Sequence, residues 1–307
     1  MLIKKLIAAI CTTGLVMSMC ASASAELFSE KQVTPINLST CSLEELQEYA
    51  MESFNANAEY YKSLYPSTEE IQADWMELHP VQPYAEIPYY NDFGSSTYIE
   101  YVLDKAEGIG LTDFTTAFIA SREALDIASA AYPEGSDGGI QDAYRHFTWN
   151  FLMTERISKQ KARIIGNNHE WGYRFSEALD PENEDDKRGN IQIYHDNRYQ
   201  MYLNSGYSEG EAKSKANDDT NAFIPYSKEL YVSVFEDNYE EFKIFWYANS
   251  YYMDLWNNCY GRAYPEKGYD DYEAAFQDCT ETVVNDEDIN EDHKWCIWAW
   301  DWYAYAE

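Results

Sequence analysis

The chain reads as all-α, an irregular helical bundle around a polar pocket, and three observations predict it. Ser42-Leu-Glu-Glu45 and Ser67-Thr-Glu-Glu70 each place a hydroxyl three residues before a glutamate, the reciprocal pair that satisfies the first free N–H groups of a helix. Apolar residues between the breaks return at helical intervals, as in Phe114, Ala117, Phe118 and Leu125. Alternation of strand type is confined mainly to a short tail holding Trp298, Trp300 and Trp302.

The first capping pair opens a helix to about Tyr61, and the second, after Pro66, opens another. Residues 79–96, with Pro80, Pro83, Pro88 and Gly94, read as a loop. A long helix is expected from Thr112 to Tyr132, where Pro133 and the glycines that follow stop it. Helices then run over 140–157 and 159–178. The polar break Asp180–Asn190 lacks the glycine position and closing glutamate of a calcium-binding loop. Residues 191–222 are helical but weakly specified; aromatic periodicity resumes over 226–235 and 239–260, and 269–279 and 288–305 supply two closing helices. This organises the chain into residues 1–25, an N-terminal helical region at 26–110, a helical domain at 111–282, and a C-terminal aromatic helix at 283–307.

Residues 1–25 have the pattern of a secretory signal peptide. Lys4 and Lys5 precede an apolar run from Leu6 to Met19, and Ala23-Ser24-Ala25 offers small residues for cleavage. Met19 is too large for a lipid anchor at Cys20, so the expected product is a secreted, extracellular protein without a transmembrane segment. The formal net charge is −32, and loss of Lys4 and Lys5 makes it more negative still. Such a surface repels nucleic acid and anionic membranes and attracts cations. Hydrophobic residues at 45%, with 28 Tyr and 9 Trp, are ample for a core. Cys41, Cys259, Cys279 and Cys296 would survive processing; the even number permits two disulfides in any of three pairings, with free buried thiols as the alternative.

Three segments hold the residues that build sites: Asp142-Ala-Tyr-Arg145-His146-Phe-Thr-Trp149-Asn150, His169-Glu170, and Asp254-Leu-Trp-Asn257-Asn258-Cys-Tyr-Gly261-Arg262. Positions four apart share a helix face, so Asp142, His146 and Asn150 form one stripe and Asp254, Asn258 and Arg262 another. Both lie among large apolar residues, and burying such groups is costly unless they pair or bind something. A shared polar pocket follows.

Taken together, Asp137 to Asn150, His169-Glu170 and Met253 to Arg262 resemble the signature of a bacterial helical domain family of unknown function, found in exported and toxin-like proteins. The likeness covers roughly residues 112–282 and implies that the three segments meet in space. The chain departs from the pattern by a long insertion at about 173–250 and by Cys259 inside the third segment.

Three chemistries suit the segments. In one, Asp142, His146, His169 and Asp254, with Glu170 as a further donor, bind a divalent metal that activates water. In another, His146 or Glu170 is the general base, while Arg145 and Asn258 stabilise developing negative charge. Trp149, Asn150, Asn257 and Arg262 would then contact the substrate, an ester or phosphodiester. In the third, the polar groups satisfy one another and fix helix register, and the protein is a non-enzymatic binding or cell-envelope interaction module. The segment Tyr194-His195-Asp196-Asn197-Arg198 reads as a solvated helix face, and the Trp295–Tyr305 tail as core cover rather than a carbohydrate platform.

Overall fold

The structure is a computed structural model and describes residues 42–78, 93–135, 139–177, 189–236 and 251–284. Residues 1–25, read as a signal peptide, the centre of the 79–96 loop, Cys41, Cys296 and the C-terminal tryptophans lie outside the described residues.

Among the described residues the regular structure is helical, as the periodicity predicts. The helices are α1 (Leu43–Ala56), α2 (Ala58–Lys62), α3 (Thr68–Leu78), α4 (Ser96–Ala106), α5 (Leu111–Ala131), α6 (Ile140–Arg156), α7 (Lys159–Ser176), α8 (Asn190–Asn204), α9 (Glu209–Glu236), α10 (Tyr251–Ala263) and α11 (Tyr272–Val284). The capping box at Ser42 is formed, with Glu45 N–H donating to the Ser42 hydroxyl and Ser42 N–H to the Glu45 carboxylate. The same reciprocal pair joins Ser67 and Glu70.

The weakly specified stretch 191–222 is divided between α8 and α9, and α9 runs on through Pro225. Proline inside a helix costs about 3 kcal/mol. Burial of Phe223, Ile224 and Tyr226 beside it offsets that cost.

Helix α6 is the hub. It packs against α5, α7, α10 and α11, while α7 also packs against α4 and α10. Helices α8 and α9 pair with each other, and α9 covers α1, α2 and α4. Ala117, Ala120, Ala124 and Ala128 give α5 a buried face of small residues, which brings its backbone close to α6. Phe147 and Phe151 of α6 fill the interior with Phe276 of α11 and Tyr264.

Glycines set the spacing of the central helices. A Cβ at Gly261 would lie 2.2 Å from the Phe147 carbonyl oxygen, and one at Gly172 would lie 2.5 Å from that of Ser96. The crossings of α10 with α6 and of α7 with α4 are therefore backbone-to-backbone contacts.

Candidate functional site

Helices α6, α7 and α10 bring the three sequence segments together. Asp142 stands in the first turn of α6, where the helix dipole favours a negative charge, and His146 follows one turn later. Arg145 Nε and a terminal nitrogen donate to Asp142 Oδ1 at 3.0 and 2.5 Å, and that terminal nitrogen also lies 2.8 Å from His146 Nε2.

This contact fixes the tautomer. A guanidinium only donates, so Nε2 accepts and the neutral ring carries its proton on Nδ1. Nδ1 points at Asn258 Oδ1, 3.2 Å away, with Glu170 Oε1 at 3.5 Å. Asn258 Nδ2 donates to Glu170 Oε1 at 2.9 Å, and Asn258 Oδ1 accepts from Asn150 Nδ2 at 2.5 Å. Arg262 donates in turn to Asn150 Oδ1 at 3.0 Å. A directed chain thus runs Arg262, Asn150, Asn258, Glu170, with His146 joining at Asn258.

On the other edge of the ring, Asp254 Oδ1 lies 3.3 Å and Asp142 Oδ1 3.7 Å from Nε2. The Asp254 oxygen is buried and has no hydrogen-bond partner among the described residues. Arg145 already takes the Nε2 lone pair, so this carboxylate oxygen stands at contact distance from the ring with no donor of its own. A buried carboxylate so placed is costly unless it takes up a proton or a cation.

Burial drives the electrostatics. It pushes His146 down to about 3, helped by the positive charge of Arg145, so the ring is neutral at ordinary pH. It pushes Glu170 well above the usual carboxylate range, against the hydrogen bond from Asn258. Asp254 is raised by burial and then by the charges of Glu170 and Asp142. Around one imidazole the fold has placed three carboxylates and one guanidinium, and burial favours a proton or a cation on the two carboxylates that Arg145 does not pair.

A cavity of about 220 Å³ opens beside this cluster. Its lining includes Arg145, His146, Trp149, His169, Tyr173, and Glu100 from α4. His169 Nδ1 lies 3.0 Å from Glu100 Oε2, and the His169 and His146 ring centres are 6.0 Å apart. Trp149 donates its indole N–H to the Ala117 carbonyl at 2.9 Å, which fixes the ring as a wall.

The remaining candidates stand behind the cavity. Glu170 and Asn258 are fully buried and touch the Nδ1 side of His146. Asn150 and Arg262 are buried in the chain described above, and Asn257 donates to Met253 of its own helix. The Asp142, His146 and Asp254 donor atoms lie within 4.8 Å of one another, while His169 is engaged with Glu100 outside this group. Around a four-coordinate ion at 2.1 Å, donor atoms stand about 3.4 Å apart, and the distances of both carboxylates from Nε2 fit that spacing.

Two features correct the sequence reading. His195 is fully buried, stacked on Phe93 at 4.5 Å and hydrogen-bonded to Asn217, so its segment is no solvated face. Cys259 and Cys279 form no disulfide with each other. Cys279 is packed beside Tyr264, and burial pushes its thiol up to about 12.

Sequence reasoning also missed residues. Glu100 and Asp104 lie four apart in an otherwise apolar stretch of α4, the signal that marks an inward polar pair. Asp104 accepts from Asn168 at 2.8 Å, and Lys228 of α9 donates to Asn168 at 2.5 Å. Gly166 permits close approach to the chain, since a Cβ there would lie 2.7 Å from Asn150 Oδ1.

Part of this arrangement is similar to a known family. Residues 111–196 match the family described as Domain of unknown function (DUF6973), a stretch that holds Asp142–Asn150 and His169-Glu170. Met253–Arg262 lies outside the matched residues. No curated protein and no solved structure matches the chain.

Proposed function

We propose that the protein is an exported hydrolase of ester or phosphodiester bonds, with a divalent cation held by Asp142, His146 and Asp254. The observation that carries the reading is the Asp254 oxygen, buried and without a hydrogen bond, 3.3 Å from His146 Nε2. One imidazole nitrogen with two carboxylate oxygens suits zinc or manganese. Such an ion would supply Lewis acidity and a water that ionises near neutral pH. The protein's own groups do the rest. Glu170 and Asn258 hold the His146 ring by its Nδ1 edge and keep Nε2 as the acceptor. Arg145, partly exposed and reaching the cavity, is placed to leave Nε2 and meet the developing negative charge of a substrate. His169, oriented by Glu100, is the second cavity-facing imidazole and suits protonation of the leaving group.

A second reading rests on Arg145 as it stands. Its donation to both Asp142 and His146 gives the cluster one cation of its own, as a purely structural network in a binding module would need.

Metal analysis of protein purified without chelator separates the two. The hydrolase reading expects one divalent ion per chain, lost in Asp254→Asn with helicity intact, and metal-dependent cleavage of 4-nitrophenyl acetate or bis(4-nitrophenyl) phosphate. A folded parent that holds no metal and cleaves neither compound overturns it.

A further inference from the structure

The solvent-facing rim of the cavity has a character opposite to that of the chain. The protein has 54 carboxylates against 22 lysines and arginines, yet the charged side chains lining this cavity are Arg122, Arg145 and Glu100. Glu100 is engaged with His169. Arg122, one turn from Phe118 on α5, lies over that ring at 5.3 Å from its centre and makes no ion pair among the described residues. In so acidic a chain, an arginine without a carboxylate at a cavity mouth is a standing recognition group for an anion.

The same rim is apolar. Phe118 is 48% and Leu125 39% exposed, and both line the cavity, as does Trp149. Large apolar side chains held at a cavity mouth gain when a ligand covers them. The volume of about 220 Å³ is below the roughly 300–1,000 Å³ of pockets for drug-sized ligands, so the interior accommodates a short alkyl chain or one aryl ring.

We infer that the cavity takes a small amphiphilic anion, a phosphate or carboxylate head held between Arg122 and Arg145, with a short apolar group against Phe118, Leu125 and Trp149. This rests on the reading that the cavity is the reaction site, and it names the substrate class. The placement is coherent: the guanidinium that would grip the head is the one touching His146 Nε2, so the scissile bond comes to the donor atoms beneath.

The test is calorimetric titration of chelator-treated protein with butyl phosphate, hexanoate, inorganic phosphate and 1-butanol. At least one of the two amphiphilic anions is expected to bind roughly tenfold or more tightly than both inorganic phosphate and 1-butanol. Arg122→Gln should weaken that anion roughly five- to tenfold and leave 1-butanol unchanged, because it removes a charge at an exposed position without disturbing the core. Phe118→Ser should weaken the same anion and leave inorganic phosphate unchanged. If neither anion binds better than 1-butanol, or if Arg122→Gln changes no affinity, the inference is overturned. Anion binding without cleavage of the corresponding butyl or hexanoyl esters keeps the ligand class and removes the hydrolase reading. Cleavage confined to neutral esters, with no anion binding, does the reverse.

Discussion

Gly261 of α10 is set against the backbone of Phe147 on α6, and a Cβ at that glycine would lie 2.2 Å from the Phe147 carbonyl oxygen. The two helices that provide His146 and Asn258 are thus locked at a separation only glycine allows. Gly261→Ala must push them apart, at an expected cost of about 3 kcal/mol or more, as overpacking of a rigid core does. Gly210, in the first turn of α9, has nothing within 4 Å of its hypothetical Cβ. There the same substitution should be neutral or stabilising by up to about 1 kcal/mol. Urea unfolding of the two variants checks the contrast, and equal effects would contradict the packing argument.

The pH dependence of stability in chelator has two opposed parts. His146 titrates near 3 when folded and near 6.5 when unfolded, so between those values only the unfolded chain binds its proton, and lowering the pH favours unfolding. Asp254 and Glu170 are raised above their ordinary 3.8 and 4.5, so the folded chain keeps protons that the unfolded chain has released. Their contribution is present at low pH and is lost as the pH rises. His146→Gln removes the first part only. Its urea midpoint should therefore fall less than the parent's between pH 6.5 and 4, and parallel curves would refute the assignment.

Metal should stabilise the folded chain by mass action. Zinc or manganese added to stripped protein at a hundred times its dissociation constant is expected to contribute about 2.7 kcal/mol. Differential scanning fluorimetry should show a rise in Tm for the parent and none for Asp254→Asn. A rise of equal size in the variant would place the ion elsewhere.

Asp219 offers a control outside the cavity. Its fully buried carboxylate meets Lys62 Nζ at 2.6 Å, the Tyr202 hydroxyl at 2.7 Å and the Arg198 guanidinium, which ties α2, α8 and α9 together. Asp219→Ala leaves partly buried cationic and hydroxyl groups without their acceptor, at an expected cost of about 3 kcal/mol. Metal content and turnover of the surviving folded protein should be unchanged. A selective loss of metal would show that the two polar centres are coupled.

The sequence made much of the central cluster legible, for a definite reason. Asp142, His146 and Asn150 repeat at the helical interval among buried aromatics, as do Asp254, Asn258 and Arg262, so both inward faces could be read from spacing alone. What spacing cannot say is which edge of a ring faces which partner. Glu170 and Asn258 turned out to hold the His146 ring from behind, because the crossing of α7 and α10 puts them on its Nδ1 side. Glu100 escaped notice because its partner His169 is 69 residues away and α4 belongs to a region read as separate from the domain. Arg122 carries no local signal at all; only the lining of the cavity brings it beside Arg145 and Trp149.

Arg145 has a consequence for any affinity measured at this centre. It is joined to His146 by one peptide bond and already occupies the Nε2 lone pair, so it acts as a tethered competitor for that atom. On the proposed function, an incoming cation would bind by exchange, and its apparent constant would be a ratio of two occupancies rather than a simple affinity. Shortening Arg145 would tighten the hold on a cation while loosening the grip on an anionic substrate. On the proposed function, one side chain would thereby set the balance between cation binding and anion binding in the cavity.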